Sequence, residues 1–326
     1  MTATSHEETR VAAITTGLDR FKRSLRAGAR TTRPYRFREP VWDSALVANA
    51  ETSPAVTADM ADFGYLPHEC HGRPGVPDSL AMTGPVALLT SEGAQLLREI
   101  GQALKGSAVH NDYVVSHRIR NVETVSPFVH AMVRDAAFLR RVSALVGVPL
   151  IPHPLRDAGV QVNYYEPPAA GMRAAPVAKW HRDGMNYVFT MTLSDRDEYE
   201  GGDYIYYQGR PEGFDARPDE VTSAGSHHPD VRTAPFRRVG DTLFTRGSRV
   251  YHAVTPVTRG HRITLAVSLF CPLLGKQDEN RFWHSAPDDG LLRTVNNWRH
   301  LHQAIRRPGS YCRREGIPIL GTSNSR

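Results

Sequence analysis

The residues most able to do chemistry lie in Trp180-His181-Arg182-Asp183-Gly184 and, well beyond it, in His252-Ala253-Val254-Thr255-Pro256. On a strand, residues two apart share a face, so His181 and Asp183 point one way and Arg182 the other. His252 lies in its own strand-like run and can close a triangle from across a sheet. Two neutral imidazoles and one carboxylate hold a transition metal such as Fe(II) and leave half of its octahedron open. Arg262, beyond Gly260-His261, stands where such a site needs a cation for an acidic cosubstrate. Taken alone the evidence is thin: with 15 histidines in the chain, a His-x-Asp pair arises readily by chance, and a lone His252 reads as a hydrogen-bonded core residue. The flanking motifs, taken in order, favour the metal.

Positioning these groups calls for a rigid β scaffold, and the second half of the chain has the pattern for one. Val160–Tyr165 reads as a strand, as do Tyr187–Leu193 and Tyr204–Tyr207, all rich in β-branched and aromatic residues. Gly201-Gly202 supplies a tight turn or close backbone packing. Further strands are expected near Phe236–Arg238, Thr242–Thr245, Val250–Pro256 and Arg262–Phe270. Short strands between turn signals indicate a sandwich or jelly roll. Residues 209–235, with Pro, Gly, Ser, His227 and His228, read as a long solvated loop, the kind that can serve as a lid.

The first half reads as mainly helical. Val11, Ile14, Leu18, Phe21 and Leu25 recur at helical spacing, predicting a helix over about 7–27. Ser91 serves as N-cap for a helix bearing Leu96, Leu97, Ile100 and Leu104. A further helix follows Pro127 and carries Phe128, Met132, Val133, Ala136, Leu139 and Val142 on one face. Leu291, Leu292, Val295, Trp298, Leu301 and Ile305 return to helical spacing, and no strong pattern follows Pro308. The expected organisation is a helical region over 1–154, a double-stranded β-helix (jelly-roll, cupin-like) core over 155–275, and a C-terminal helix and tail over 276–326. With no flexible linker near 147–158, these form one compact domain.

Length and composition bound the function. The chain has 326 residues, 40% apolar and 23% charged, as an ordinary globular protein does. No apolar run approaches the roughly 18 residues that span a membrane, and residues 1–10 lack an apolar signal core. Cys70, Cys271 and Cys312 are far apart and give no disulfide framework. A reducing cytoplasm is the expected location. The net charge is +6, but the arginines are scattered and no aromatics interleave with them. No nucleic-acid partner is expected, although positive potential can draw in small anions. His68, Cys70 and His71 lie close together, with no partner pair at zinc-like spacing.

The motifs in order carry a family resemblance. Trp180-His181-Arg182-Asp183, Leu193-Ser194-Asp195, Gly201-Gly202-Asp203-Tyr204, Gly240-Asp241-Thr242-Leu243-Phe244, His252-Ala253-Val254-Thr255-Pro256-Val257 and Gly260-His261-Arg262 resemble the iron(II)/2-oxoglutarate-dependent dioxygenases, prolyl-hydroxylase-like branch. The likeness runs from Gln161 to Phe270; the helical first half resembles no named family. It implies Fe(II) on His181, Asp183 and His252, with 2-oxoglutarate and O2 as cosubstrates. It also implies that Arg262 binds the far carboxylate of 2-oxoglutarate, its planar fork suiting two hydrogen bonds. Tyr165 matches a position whose hydroxyl often meets the cosubstrate. Tyr164 is its rival, since adjacent strand residues cannot both point inward. Thr192 stands where many relatives have a Tyr at the cosubstrate carboxylate, and Thr264 shares the face of Arg262 and serves equally as core. Asn186, Arg182 and Arg246 flank the motifs within reach of a substrate or as structural residues.

The resemblance implies an oxygenase that oxidises, most simply hydroxylates, a C–H bond of a small molecule, with release of succinate and CO2. Retention of Asp183 argues against halogenation, because halogenating relatives carry Gly or Ala there. Two alternatives stay open: hydroxylation of a peptidyl prolyl-type side chain, and a non-catalytic metal-binding cupin-like protein.

Overall fold

A computed structural model describes residues 37–49, 56–70, 79–110, 117–167, 178–278 and 291–319. The helix expected over 7–27, and His71, lie outside them. The described strands are β1 (Val56–Asp59), β2 (Leu80–Ala87), β3 (Val109–His110), β4 (His117–Arg120), β5 (Ile151–Pro152), β6 (Val160–Tyr165), β7 (Ala178–His181) and β8 (Tyr187–Thr192), followed by β9 (Tyr199–Gly201), β10 (Tyr204–Tyr207), β11 (Val231–Ala234), β12 (Asp241–Arg246), β13 (His252–Val254), β14 (Val257–Gly260) and β15 (Arg262–Phe270). The main helices are α1 (Ser91–Leu104), α2 (Pro127–Met132), α3 (Ala136–Val146), α4 (Pro211–Ala216), α5 (Pro218–Ala224), α6 (Leu291–Arg306) and α7 (Pro308–Arg314).

A nine-stranded antiparallel sheet runs in the order β1-β2-β12-β8-β15-β6-β4-β3, with β5 pairing to β15; a four-stranded sheet runs β11-β10-β13-β7, and β14 pairs with β9. From β6 to β15 the chain passes back and forth between the two larger sheets. A mainly antiparallel β core with flanking helices is therefore the architecture, as the sequence implies. Period-two alternation fixes which face does what. On β15, Ile263, Leu265, Val267 and Leu269 join an apolar cluster with Leu97 and Ile100 of α1, Phe128 and Met132 of α2, and Phe138, Leu139 and Val142 of α3. The opposite face carries Arg262, Thr264, Ala266 and Ser268. The register places Tyr165, Asn163 and Gln161 of β6 beside Arg262, Thr264 and Ala266, and Thr192, Thr190 and Val188 of β8 beside Thr264, Ala266 and Ser268. One face of the large sheet is thus sealed by helices, and the other is polar although the strands are buried. Such a face belongs to a site.

Six readings of the sequence need correction. Among the described residues, the N-terminal half is less helical than its periodicity implies: β1 and β2 extend one side of the large sheet, β3 and β4 the other. The helix after Pro127 is two helices. Asp135 breaks it by accepting from the amides of Ala137 and Phe138, at 2.8 and 2.9 Å, as N-cap of α3. The N-cap of α1 is Thr90, not Ser91; its hydroxyl accepts from Gly93 N at 3.2 Å. Residues 209–235 are no loop but α4, α5 and β11. Pro211 and Pro218 each open a helix in the first-turn position where the missing N–H is not needed. Phe214 and Val221 then pack on Ile205, Tyr207 and Ala253. His228 is buried there and accepts from Asp230 N at 3.1 Å. At the C-terminus α7 follows Pro308, and Phe236–Arg238 forms no strand.

Candidate metal and cosubstrate site

The two histidines of the expected triad are cross-strand neighbours: His252 on β13 stands opposite His181 on β7. Their rings lie 4.3 Å apart, centroid to centroid. Strand β7 ends at His181, so Asp183 is held by the following turn, not by the strand, its amide donating to Gly247 O at 2.7 Å. An Asp183 oxygen lies 3.4 Å from His181 Nε2, and the other 3.6 Å from His252 Nε2. One ligand atom from each of the three falls within 4.8 Å of the others, a fit for one divalent ion.

The protonation states suit that role. His181 Nδ1 donates to Lys179 O at 2.7 Å, and His252 Nδ1 to Val250 O at 3.1 Å. A carbonyl can only accept, so each Nδ1 carries a proton and each Nε2 is turned toward Asp183. Burial holds the His252 imidazole down to about 4, with the Asp183 carboxylate pulling the other way and His181 adding to the fall, so it is neutral and ready to ligate at neutral pH. The ring of Tyr204 stacks on His252 at 5.3 Å and 12°, and its hydroxyl meets Thr245 Oγ1 at 3.3 Å.

Close packing fixes the carboxylate. A Cβ on Gly247 would come within 2.6 Å of Asp183 Oδ2 and 2.7 Å of Met185 O, so any side chain there displaces the ligand. Behind this turn Ser248 Oγ donates to Asn186 Oδ1 at 3.2 Å, Asn186 Nδ2 donates to Asp278 Oδ1 at 2.9 Å, and Cys271 N donates to Asp278 Oδ2 at 2.9 Å.

Arg262 shares the cavity with the triad. It is only 1% exposed, yet among the described residues none of its three guanidinium nitrogens has a hydrogen-bond partner. Its contacts are the rings of Tyr165 and Phe236, at 5.1 and 5.2 Å. A buried cation whose donors lack acceptors is costly, and an acidic ligand would supply them. Gly202, at φ +65, makes room: a Cβ there would meet Val257 Cγ2 at 2.9 Å and Arg262 Cδ at 3.4 Å. Tyr165 faces the cavity and Tyr164 does not; the Tyr164 hydroxyl donates to Gly101 O of α1 at 2.7 Å. Thr264 donates to the Tyr165 hydroxyl at 3.4 Å. The cavity's lining comes from both larger sheets: Arg118, Arg120, Gln161, Asn163, Tyr165, Thr190 and Arg262 on one side, His181, Tyr204, His252 and Val254 on the other, with Arg182 and Asp183 at the turn.

Four residues singled out from the sequence do not reach this lining, among them Thr264, which meets it only through the Tyr165 hydroxyl. Thr192 is buried with its hydroxyl turned to Ser194 O at 3.0 Å. Asn186 is enclosed in the network with Ser248 and Asp278. Arg246 is buried against Tyr187, donating to its hydroxyl at 3.2 Å. Arg182 does border the cavity, contrary to its expected outward aim, but its guanidinium donates to Ser248 O at 3.1 Å and lies over the Tyr251 ring. Reading the sequence missed Arg118, Arg120, Gln161 and Asn163. The alternation His117-Arg118-Ile119-Arg120 is the one signal for the two arginines, and it is short, whereas Gln161 and Asn163 share the face of Tyr165 on the strand expected over Val160–Tyr165. His68 and Cys70 join no metal cluster among the described residues.

No protein-family model matches the chain, and no curated protein matches it. Solved structures resemble it in fold. The non-haem α-ketoglutarate-dependent epimerase SnoN from nogalamycin biosynthesis aligns over 59% of this chain and 79% of its own, at 14% identity and a TM-score of 0.44. HygX from Streptomyces hygroscopicus, with nickel and 2-oxoglutarate bound, aligns over 58% and 82% at 16% identity and a TM-score of 0.43. The carbocyclase SnoK, also from nogalamycin biosynthesis, aligns over 58% and 79% at 17% identity and a TM-score of 0.41.

Proposed function

We propose that this chain is an Fe(II)/2-oxoglutarate-dependent oxygenase that oxidises, most simply by hydroxylation, a C–H bond of a small molecule. One observation carries the reading: three convergent metal-ligand atoms share a cavity with a fully buried arginine whose guanidinium has no hydrogen-bond partner among the described residues. Iron and 2-oxoglutarate, when bound, supply the oxidising chemistry, with O2 consumed and succinate and CO2 released. His181, His252 and Asp183 would hold the metal. Arg262 takes the far carboxylate of the cosubstrate through two parallel N–H donors, and Tyr165 adds a hydroxyl beside it. Burial of Arg262 and His252 keeps water from competing for those bonds. The inner sheet face would then orient the substrate beside the three ligand side chains. Support for a small molecule comes from the position of the cavity between the sheets and its lining of closely spaced polar side chains.

The test is conversion of 2-oxoglutarate to succinate by the aerobic, Fe(II)-loaded protein, measured over a panel of small polar compounds and a prolyl peptide. Turnover with a small molecule that Asp183→Ala abolishes supports the proposal. Turnover with the peptide alone makes the protein a peptidyl hydroxylase, and no turnover with metal bound leaves a metal-binding cupin-like protein.

A further inference from the structure

Helix α6 presents a surface that the chemistry of the cavity does not use. The apolar positions that the sequence places at helical spacing divide there into two sets. Ala304 is buried in the main core with Leu301 and Ile305 packed against it, and Asn297 Nδ2 donates to Asp157 Oδ2 at 2.9 Å, so the helix is anchored on that side. Leu292, Val295 and Trp298 face outward, at 86%, 40% and 50% exposure. Single exposed apolar residues are ordinary, but these recur every third position and form one ridge. The Trp298 ring is held in place by stacking on His302, at 4.8 Å and 19°. The charge on this surface has one sign. From Leu291 to Arg314 the chain carries six arginines and no acidic residue. Arg293 is engaged with Asp157, Arg313 with Ser310 and Arg314 with Glu315. Arg299, Arg306 and Arg307 are exposed and make no ion pair or side-chain hydrogen bond among the described residues. Arg306 suits the negative end of its helix, whereas Arg299, in mid-helix, has no such role. At about 3.6 residues per turn, Arg299 and Arg306 fall between Val295 and Leu292 around the axis, on the ridge itself.

We infer that this ridge is a docking surface for an anionic lipid layer. Leu292, Val295 and Trp298 enter the boundary between headgroups and acyl chains, and Arg299, Arg306 and Arg307 rest on the lipid phosphates. Apolar and aromatic side chains interleaved with arginines on one fixed helix suit a membrane surface. A single helix offers a convex ridge, not a groove, so it has no seat for a partner's side chains; a fluid lipid surface needs none. A second copy of this chain fits poorly, because a twofold contact would set the same arginines against one another. The inference does not depend on the oxygenase reading, since none of the ridge residues belongs to the described cavity lining. The docked face is nonetheless near the site: Asp157, which holds Arg293 and Asn297, precedes Ala158 of the cavity wall.

The test is cosedimentation of the full chain with sucrose-loaded vesicles at low salt. Vesicles of equal parts phosphatidylglycerol and phosphatidylcholine should bind the protein, and phosphatidylcholine alone should bind it at least about tenfold more weakly. Binding should fade as salt rises. Arg299→Gln and Arg306→Gln should each lower the partition coefficient about fivefold, the contribution of one cation at an anionic surface. Trp298→Gln and Leu292→Gln should each lower it about tenfold through lost apolar burial. Arg237→Gln, which removes an exposed arginine between β11 and β12, should leave it nearly unchanged. Quenching of tryptophan fluorescence by brominated acyl chains, diminished in Trp298→Phe, gives a second readout should a glutamine variant fail to fold. Absence of binding to the anionic vesicles, or binding that Arg237→Gln weakens as much as the α6 variants do, overturns the inference. So does α6-dependent binding of soluble poly-L-glutamate in place of vesicles, which would make the partner an acidic polypeptide. A dimer in sedimentation velocity that Trp298→Gln dissolves, with no vesicle binding, would make the occupant a second copy and overturn it equally.

Discussion

Replacing Arg262 by methionine should make the empty protein more stable than the wild type and the cosubstrate-bound protein less stable, each by about 1 kcal/mol. Three buried guanidinium nitrogens without acceptors cost about 1 kcal/mol each or more. The two ring contacts return about 1–2 kcal/mol together, and water entering the cavity offsets part of the rest. The net penalty is about 1 kcal/mol, or roughly 1.5 °C in the unfolding midpoint of a chain of this size. With cosubstrate the sign reverses. At a concentration of 2-oxoglutarate about 100 times its Kd, the wild type should gain about 2.7 kcal/mol from binding. Loss of two charge-assisted hydrogen bonds, at about 1.5 kcal/mol each or more, raises Kd about a hundredfold. At the same concentration the gain then shrinks to about 0.4 kcal/mol. Anaerobic calorimetry of both proteins with Fe(II), with and without 2-oxoglutarate, reads all four numbers. A variant that is less stable when empty, yet gains as much from the cosubstrate as the wild type, would refute the reasoning on both counts.

Other outcomes follow from the same geometry. Gly247→Ala should push Asp183 off its position and weaken Fe(II) binding at least about tenfold with circular dichroism unchanged; unaltered affinity in equilibrium dialysis would show that the turn yields freely. The adjacent tyrosines should separate cleanly: Tyr165→Phe raises the Kd of 2-oxoglutarate a few-fold, while Tyr164→Phe leaves it alone and costs about 1 kcal/mol of stability by orphaning Gly101 O. The reverse pattern in titration and urea unfolding would exchange their roles. The two-pronged contact of Arg210 with Glu69, at 2.7 and 2.9 Å, holds that carboxyl down to about 2 from an ordinary 4.5. A depressed carboxyl stabilises the fold above its unfolded value and loses that contribution as pH falls through the folded one. Glu69→Gln should therefore flatten the fall in thermal midpoint between pH 4.5 and 2, and an unchanged slope would remove the pair from the acid response.

What could be read in the sequence follows from how each signal is made. The alternation in Arg262–Phe270 survives in β15 because one face meets helices and the other a polar site, so both periodicity and chemistry were visible. The His-x-Asp pair and His252 could be placed because their flanking turns are themselves tightly constrained. The excursion over 209–235 was hidden because Pro211 and Pro218, which read as breakers, sit where a helix tolerates proline. Thr192 was misplaced because spacing says which face a residue occupies, not where its hydroxyl turns, and Ser194 O lies closer. Arg118 and Arg120 escaped notice because β4 is four residues long and outside the region of family likeness; only its pairing with β6 brings it to the site.

The claim that this cavity holds Fe(II) and 2-oxoglutarate together is tested most directly by the visible metal-to-ligand charge-transfer band of the anaerobic protein. Fe(II) followed by 2-oxoglutarate should raise the band in the wild type. His252→Ala and Asp183→Ala should lose it, and Arg262→Ala should require a much higher cosubstrate concentration. Absence of the band in folded, iron-loaded wild type would contradict the account, because the three ligands and Arg262 would then serve a different metal or ligand.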